Sequence, residues 1–164
     1  MKTIYLIRHA KSSWKDPSLS DFDRPLNKRG KNDIVIIGKL LDQKEIKPDL
    51  ILSSPAKRAR KTAIGITEKL GFPQNKIVFR DEIYEASDRM LLHLIKRTDE
   101  KFDSLMLFGH NPGLTQLNNL ISNHYIDNIP TCGVVALTTE TDWINSGKDR
   151  FKFLFFEYPK KFKK

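Results

Sequence analysis

Short apolar runs alternate with amphipathic segments along most of this chain, and that alternation restricts the fold more than any other feature. The apolar runs predict strands, at 3–7, 49–52, 77–79, 104–108, 134–137 and 151–157. The amphipathic segments predict helices, at 31–44, 55–70, 88–96 and 111–121. Such alternation with short connections predicts an α/β fold, a three-layer α/β/α sandwich with a mostly parallel central sheet. No helix follows the last strand, so we expect one antiparallel edge strand.

The length of 164 residues suits a single domain. No internal repeat, low-complexity linker or composition shift marks a second one. We therefore expect one domain over residues 1–159, followed by a frayed basic tail over residues 160–164. The only cysteine, Cys132, cannot form an internal disulfide, and the first apolar run is too short for a signal peptide. These features predict a cytoplasmic protein without a membrane partner.

Basic residues outnumber acidic ones by 29 to 20, which gives a formal net charge of +9. Apart from the tail, the surplus is concentrated in two clusters, Lys28-Arg29-Lys31 and Lys57-Arg58-Arg60-Lys61. A net charge of this sign favours anionic partners in general. No nucleic-acid-binding motif accompanies it, so nucleic-acid binding is the weaker interpretation.

Histidine and arginine residues follow three of the predicted strands. Arg8 and His9 end the first, Arg58 follows the second, and His110 ends the fourth. Ligands of open α/β sheets bind at the carboxyl ends of the strands, so these four side chains should share one crevice. Taken alone, each has a simpler explanation: the Arg8-His9 pair could arise by chance, Arg58 could be a solvated charge, and His110 could be a buried core histidine. Together they indicate a phosphate site.

This set of side chains suits phosphoryl transfer. Guanidinium groups bind phosphate through paired hydrogen bonds, and a neutral imidazole can attack phosphorus to form a phosphohistidine. A second, protonated histidine can donate to the same oxygens. The four histidines lack zinc-ligand spacing and no Asp-rich metal motif is present, so we expect no metal and no cofactor.

Four segments, taken together, carry a family resemblance along nearly the whole chain. They are LIRHAKSSW (6–14), DRPLNKRG (23–30), SSPAKRA (53–59) and GHNPG (109–113). In these the chain resembles the histidine phosphatase superfamily, which has the phosphoglycerate mutase-like fold, and in particular its SixA-like branch of phosphohistidine phosphatases. One departure is Ala10, where the best-known family motif is Arg-His-Gly. Alanine suits that position only if its φ is negative.

The resemblance implies roles for individual residues. His9 would be the nucleophile, Arg8 and Arg58 would clamp the phosphate, and His110 would complete the pocket. Ser12 and Ser13, in the loop after the nucleophile, could add hydrogen bonds to the phosphate.

A general acid is implied only for mutase-like relatives, which place a glutamate after the third strand. Glu85 is the nearest candidate and Glu82 its rival, and either could be an ordinary surface carboxylate. A general acid must lie within hydrogen-bonding reach of the leaving group, which spacing cannot establish.

The substrate is inferred from the length of the segment between Arg58 and His110. Arg58 and His110 are 52 positions apart, which leaves no room for a large cap over the crevice. An open basic site could admit phosphohistidine on the surface of a signalling protein. The alternatives are a phosphatase of a small phosphorylated metabolite and a non-catalytic phosphate- or nucleic-acid-binding module. If His110 works protonated, activity should decline at high pH.

Overall fold

A six-stranded sheet lies between two pairs of helices in the computed structural model, which describes residues 1–163. The strands are β1 (Lys2–Arg8), β2 (Leu50–Ser53), β3 (Val78–Phe79), β4 (Ser104–Gly109), β5 (Val134–Thr139) and β6 (Lys152–Glu157). The helices are α1 (Lys28–Gln43), α2 (Lys57–Lys69), α3 (Asp88–Lys96) and α4 (Gly113–Ile121). The predicted α/β class is confirmed.

The strands lie in the order β3-β2-β4-β1-β5-β6. β3, β2, β4 and β1 pair in parallel, as predicted. β5 pairs antiparallel with both β1 and β6. The expected antiparallel pair therefore lies at the sheet edge, where β6 pairs with β5. Relative to β1, the strand that runs in the opposite direction is β5, and the edge strand β6 runs in the same direction.

Both faces of the sheet are buried, which explains why its central strands are continuously apolar. Ile4 and Leu6 of β1 pack on one face with α3 and α4. Ile7 points to the other face, where it packs with α1 and α2. Within residues 1–163, no helix is both long and apolar enough to cross a membrane.

Three helices begin at residues that differ from the prediction, and one of them, α4, begins at Gly113 instead of residue 111. α1 begins three residues earlier, because the Asn27 side chain accepts a hydrogen bond from Gly30 N at 2.8 Å and caps the first turn. α2 begins at Lys57, with Ala56 as its N-cap. Ser54 is therefore not the N-cap residue, although its hydroxyl accepts a hydrogen bond from Ala56 N at 3.2 Å just before the helix.

The basic tail packs onto α1. Residues Pro159–Phe162 form a 3₁₀ turn, and Lys163 Nζ then lies 2.7 Å from Oδ1 of Asp33, which is 0% exposed. Arg29 Nε lies 3.6 Å from Oδ2 of the same carboxylate. A buried charge needs a counter-charge, so the expectation of a frayed tail is wrong for residues 160–163. Lys164 lies outside the described residues, and the domain boundary at residue 159 stays a prediction.

Gly30 lies where α1 meets the loop that follows β1. A Cβ atom at this position would overlap the backbone oxygen of Lys11, which also accepts a hydrogen bond from Asn27 N at 3.0 Å. Only glycine permits such a close approach of two backbones. The loop that begins at the end of β1 is thus held against α1.

We expect Gly30→Ala to lower the free energy of unfolding by about 1–3 kcal/mol, because the added methyl group must push the loop away. Urea unfolding measures the change. Gly147→Ala is the matched control, since its Cβ would meet only the end of the Lys96 side chain, at 3.6 Å. Equal losses in the two variants would contradict the close-approach explanation.

Candidate active site

Arg8, His9, Arg58 and His110 meet at the carboxyl edge of the sheet. β1 and β4 are parallel neighbours with Arg8 opposite Gly109, so the next residues, His9 and His110, emerge side by side. The centroids of their rings are 5.2 Å apart. Arg58, in the first turn of α2, donates from Nε to Nε2 of His9 at 3.4 Å. The structure therefore brings together the four side chains on which the phosphate-site prediction rests.

Hydrogen bonds determine which nitrogen of His9 carries the proton. Nδ1 lies 2.8 Å from the carbonyl oxygen of Ala10, which can only accept, so Nδ1 is the donor. Nε2 then keeps its lone pair and faces Arg58. Ala10 N donates to Thr62 Oγ1 at 2.9 Å, and Ala10 is fully buried without a positive φ. Alanine is therefore compatible with the backbone at this position.

Both imidazoles are neutral at neutral pH. Burial, helped by the charges of His110, Arg58 and Arg8, lowers the pKa of His9 to about 3, although the hydrogen bond to Ala10 acts in the opposite direction. Burial likewise lowers the pKa of His110 to about 4, with Arg58 the next cause. His110 of the free protein is thus not the protonated donor that the sequence analysis assumed. The extent of its burial depends on tertiary packing, which the sequence pattern does not show.

Asp21 is the carboxylate that holds Arg58. It lies in a 3₁₀ turn, Asp21–Asp23, and accepts from Arg58 through both its backbone oxygen, at 2.7 Å, and Oδ2, at 3.0 Å. The Tyr84 hydroxyl donates to Oδ2 at 2.7 Å. This bond is the largest cause that lowers the pKa of Asp21 to about 2, with Arg58 and Arg24 contributing, and the largest that raises the pKa of Tyr84 to about 12, with burial contributing. An anionic Asp21 therefore orients Arg58 so that Nε points at His9.

Sequence reasoning missed Asp21 and two other residues that border the histidine pair. Ser54 Oγ lies 2.7 Å from His110 Nε2. Tyr84 packs edge-on against His110 at 5.6 Å between ring centroids, and Phe22 packs against Tyr84 at 5.2 Å. No motif or spacing marked Asp21 or Tyr84, because loops from distant parts of the chain place them here.

The two predicted serines bond within their own loop. Ser12 Oγ accepts from Arg24 at 2.7 Å, and Ser13 Oγ accepts from Lys15 N at 3.1 Å. Arg24 in turn forms an ion pair with Asp21 at 3.1 Å. Ser12 therefore contacts the site through Arg24, and the proposed bonds from either serine to phosphate stay predictions.

Neither glutamate candidate forms a hydrogen bond with the histidine pair within residues 1–163. Glu85 is exposed and has a φ of 59°, and Glu82 forms an ion pair with Arg97 at 3.2 Å. A general-acid role for either residue stays a prediction.

Comparison with known proteins agrees with this geometry. The sequence model of the histidine phosphatase superfamily (branch 1) matches residues 4–88, just over half of the chain, including Arg8, His9 and Arg58. The chain belongs to the histidine phosphatase superfamily. An uncharacterized chloroplastic protein of Arabidopsis thaliana is 31% identical over 144 residues, which cover 83% of this chain. This chain spans 66% of that relative's length.

Solved structures connect the chain to the SixA-like branch of this superfamily. A crystal structure from Agrobacterium tumefaciens, assigned as the phosphohistidine phosphatase SixA, is 34% identical and has a TM-score of 0.83. The alignment covers 96% of this chain and 98% of that one. The protein histidine phosphatase SixA in complex with tungstate has the same fold, with 20% identity, a TM-score of 0.83 and coverage of 98% and 99%.

The lowered histidine pKa values predict a stability that depends on pH. An unfolded histidine takes up its proton near its ordinary pKa of 6.5, whereas folded His9 and His110 do so only near about 3 and 4. Between these values the unfolded state binds more protons. The contribution of the two neutral histidines to the free energy of unfolding is therefore complete above about pH 6.5 and decreases as the pH falls toward about 4.

When the pH is lowered from neutral to about 5, we expect the free energy of unfolding to fall less in the double variant His9→Gln/His110→Gln than in the wild type. Urea unfolding at both pH values measures this difference. His93→Gln, at an exposed position of α3, should retain the wild-type dependence. The same dependence in the double variant would show that the two imidazoles are not held neutral in the folded protein.

We expect Asp21→Asn to lower kcat/KM about tenfold, because Arg58 loses a charge-assisted hydrogen bond that orients it. Asp23→Asn is the matched comparison and should lose less, since Asp23 lies in the same turn but bonds to Ser20 and not to Arg58. Steady-state kinetics on one phosphorylated substrate measures both variants. An unchanged or higher kcat/KM for Asp21→Asn would mean that Asp21 competes with phosphate for Arg58.

Proposed function

We propose that this chain is a phosphatase that transfers a phosphoryl group to His9 and then to water. In the first step Nε2 of His9 attacks phosphorus, the P–Nε2 bond forms, and the bond to the leaving group breaks with its electron pair. In the second step water attacks phosphorus, the P–Nε2 bond breaks, and inorganic phosphate leaves with His9 restored. The neutral His9, with its Nδ1 proton donated to Ala10 and its Nε2 unprotonated, carries this proposal. The 3.4 Å hydrogen bond that Nε2 accepts from Arg58 Nε has to break when Nε2 attacks phosphorus.

Arg8 and Arg58 would hold the phosphoryl oxygens. Burial and the charge of Arg58 lower the pKa of Arg8. Arg8 donates from one terminal nitrogen to the Ile129 carbonyl at 3.0 Å. Its Nε and the Nδ1 of His110 are buried and have no hydrogen-bond partner within residues 1–163. Phosphoryl oxygens would supply acceptors for both.

His110 can still act as a donor once substrate binds. A phosphoryl dianion beside the ring favours the charged imidazolium and would raise its pKa from the value in the free protein. The same anion offsets the repulsion from Arg8 and Arg58. His110 would therefore gain its proton with the substrate, which agrees with the role that the family resemblance implies.

We favour phosphohistidine on a protein as the substrate. The site lacks a protonated carboxylic acid in contact with Arg58, because the Asp21 carboxyl has a pKa of about 2. An alkoxide leaving group benefits strongly from such an acid. A phosphohistidine ring that is protonated on its other nitrogen leaves as neutral imidazole, and the Asp21 carboxylate could accept a hydrogen bond from that N–H group. The likeness to SixA structures supports the same choice, and a cytoplasmic signalling protein stays the predicted partner.

We expect the wild type to release phosphate from a chemically phosphorylated histidine peptide in the presence of EDTA. His9→Ala should reduce this release about 10³-fold or more, since the covalent step loses its nucleophile. His93→Ala, an exposed histidine variant on α3, should behave as the wild type does. Radiolabelled phosphate should be trapped on the wild type in an acid-labile form.

Three results would change the proposal. Full activity in His9→Ala would exclude the covalent mechanism. Hydrolysis of an aryl phosphate without hydrolysis of the phosphohistidine peptide would favour a small phosphorylated metabolite. In the part of the chain that the structure describes, no three or more His, Cys, Asp or Glu side chains gather where they could hold a metal ion. Loss of activity with EDTA would nevertheless overturn the metal-free expectation.

A further inference from the structure

The two basic clusters of the sequence meet at one cavity. Its volume is about 460 Å³. The residues that line it are Pro25, Leu26, Lys31, Ile34, Lys57 and Lys61. Lys31 comes from the first cluster, on α1, and Lys57 and Lys61 come from the second, on α2. The sequence positions of these lysines did not show that they would converge.

The cavity has an apolar floor. Leu26 and Ile34 are each 8% exposed and belong to the core between the sheet and the helices. α1 and α2 approach closely just below, where a Cβ atom on Gly65 would lie 2.6 Å from Ile34 Cγ2. The segment at Pro25 forms the third wall. Such a floor can bury one apolar side chain of a ligand.

The rim of the cavity carries positive charge without compensation. Lys31, Lys57 and Lys61 are exposed, and no acidic residue lines the cavity. Within residues 1–163 none of the three lysines forms an ion pair. Like charges around a concave surface focus the electrostatic potential and raise the local concentration of anions. The charge of the rim therefore favours an acidic ligand.

The cavity lies next to the phosphate site. Lys57 directly precedes Arg58, and α1 and α2 both begin at the carboxyl edge of the sheet. One loop borders both places: Arg24 contacts Asp21 and Ser12 beside the phosphate site, and the next two residues line the cavity. A protein with its phosphorylated residue at His9 could place a neighbouring segment here.

We propose that this cavity binds an acidic segment of the phosphorylated protein, with one apolar side chain on the Leu26–Ile34 floor. This inference rests on the proposed phosphohistidine phosphatase function and adds a second point of contact with the protein substrate. An acidic peptide fits better than a nucleic acid, because the three lysines surround an apolar floor instead of following an extended backbone. Arg60, the remaining arginine of the second cluster, lies over the Phe79 ring at 4.6 Å and does not line the cavity.

The test compares two phosphohistidine peptides of equal length, one with Glu, Asp and Leu flanking the histidine and one with Ser and Gly. We expect the wild type to have a kcat/KM about tenfold higher for the acidic peptide at low salt, mainly through KM. Lys57→Glu/Lys61→Glu should reduce this ratio to about one and leave kcat/KM for the neutral peptide unchanged within about twofold.

Lys47→Glu/Lys152→Glu is the matched control. It makes the same change in net charge with two exposed lysines near the opposite edge of the sheet, and it should keep the wild-type ratio. Equal ratios in the two double variants would overturn the proposal, because general electrostatic attraction would then explain the preference. A wild-type ratio near one would also overturn it.

A direct binding measurement separates this inference from the proposed function. Fluorescence anisotropy with an unphosphorylated acidic peptide should detect binding to the wild type that weakens in Lys57→Glu/Lys61→Glu. This result would support the binding of an acidic segment in the cavity even if neither phosphohistidine peptide is hydrolysed. Failure to hydrolyse either peptide would reject only the proposed phosphohistidine phosphatase function. Tighter binding of single-stranded DNA than of the acidic peptide, lost in the same variant, would assign the cavity to nucleic acid and refute our proposal.

Discussion

The parallel pairing of β1 with β4 is the constraint on which the candidate site depends. With Arg8 opposite Gly109, the residue that follows each strand leaves the sheet at the same level, and both residues are histidines. Because both sheet faces are packed against helices, a shift of this register would move buried side chains out of their layers. The core thus holds two imidazoles 5.2 Å apart without any bond between them.

The chemistry of the site is determined by the burial of two arginine side chains beside two neutral imidazoles. Desolvation and two guanidinium groups disfavour protonation of either imidazole, so Nε2 of His9 stays unprotonated. Asp21 is the anion that contacts Arg58, and the hydroxyl of Tyr84 stabilises its charge. This balance suits a ligand that brings its own negative charge, as a phosphoryl group does.

The central site could be predicted because its residues stand next to strand ends. The position of a histidine that directly follows a buried strand is restricted to the end of that strand. Ligands bind at the carboxyl edge of a parallel sheet, so such a histidine lies where a ligand would bind. Asp21, Tyr84 and Ser54 could not be found in this way. Asp21 and Tyr84 lie in irregular segments, and Ser54 looked like a helix cap until the structure showed α2 beginning at Lys57. Which strand of the antiparallel edge pair runs opposite to β1 could not be predicted either, since periodicity does not encode strand direction.

By itself, the sequence determined the α/β class, the approximate strand and helix positions, and the four side chains that meet at the candidate site. These depend on local periodicity and on which residues follow each strand. Tertiary structure alone decided the neutral state of His110, the contact of Asp21 with Arg58, the packing of Lys163 on Asp33 and the convergence of the two basic clusters. Each of these depends on burial or on distances between segments far apart in the chain, and neither quantity is present in a linear pattern of residues.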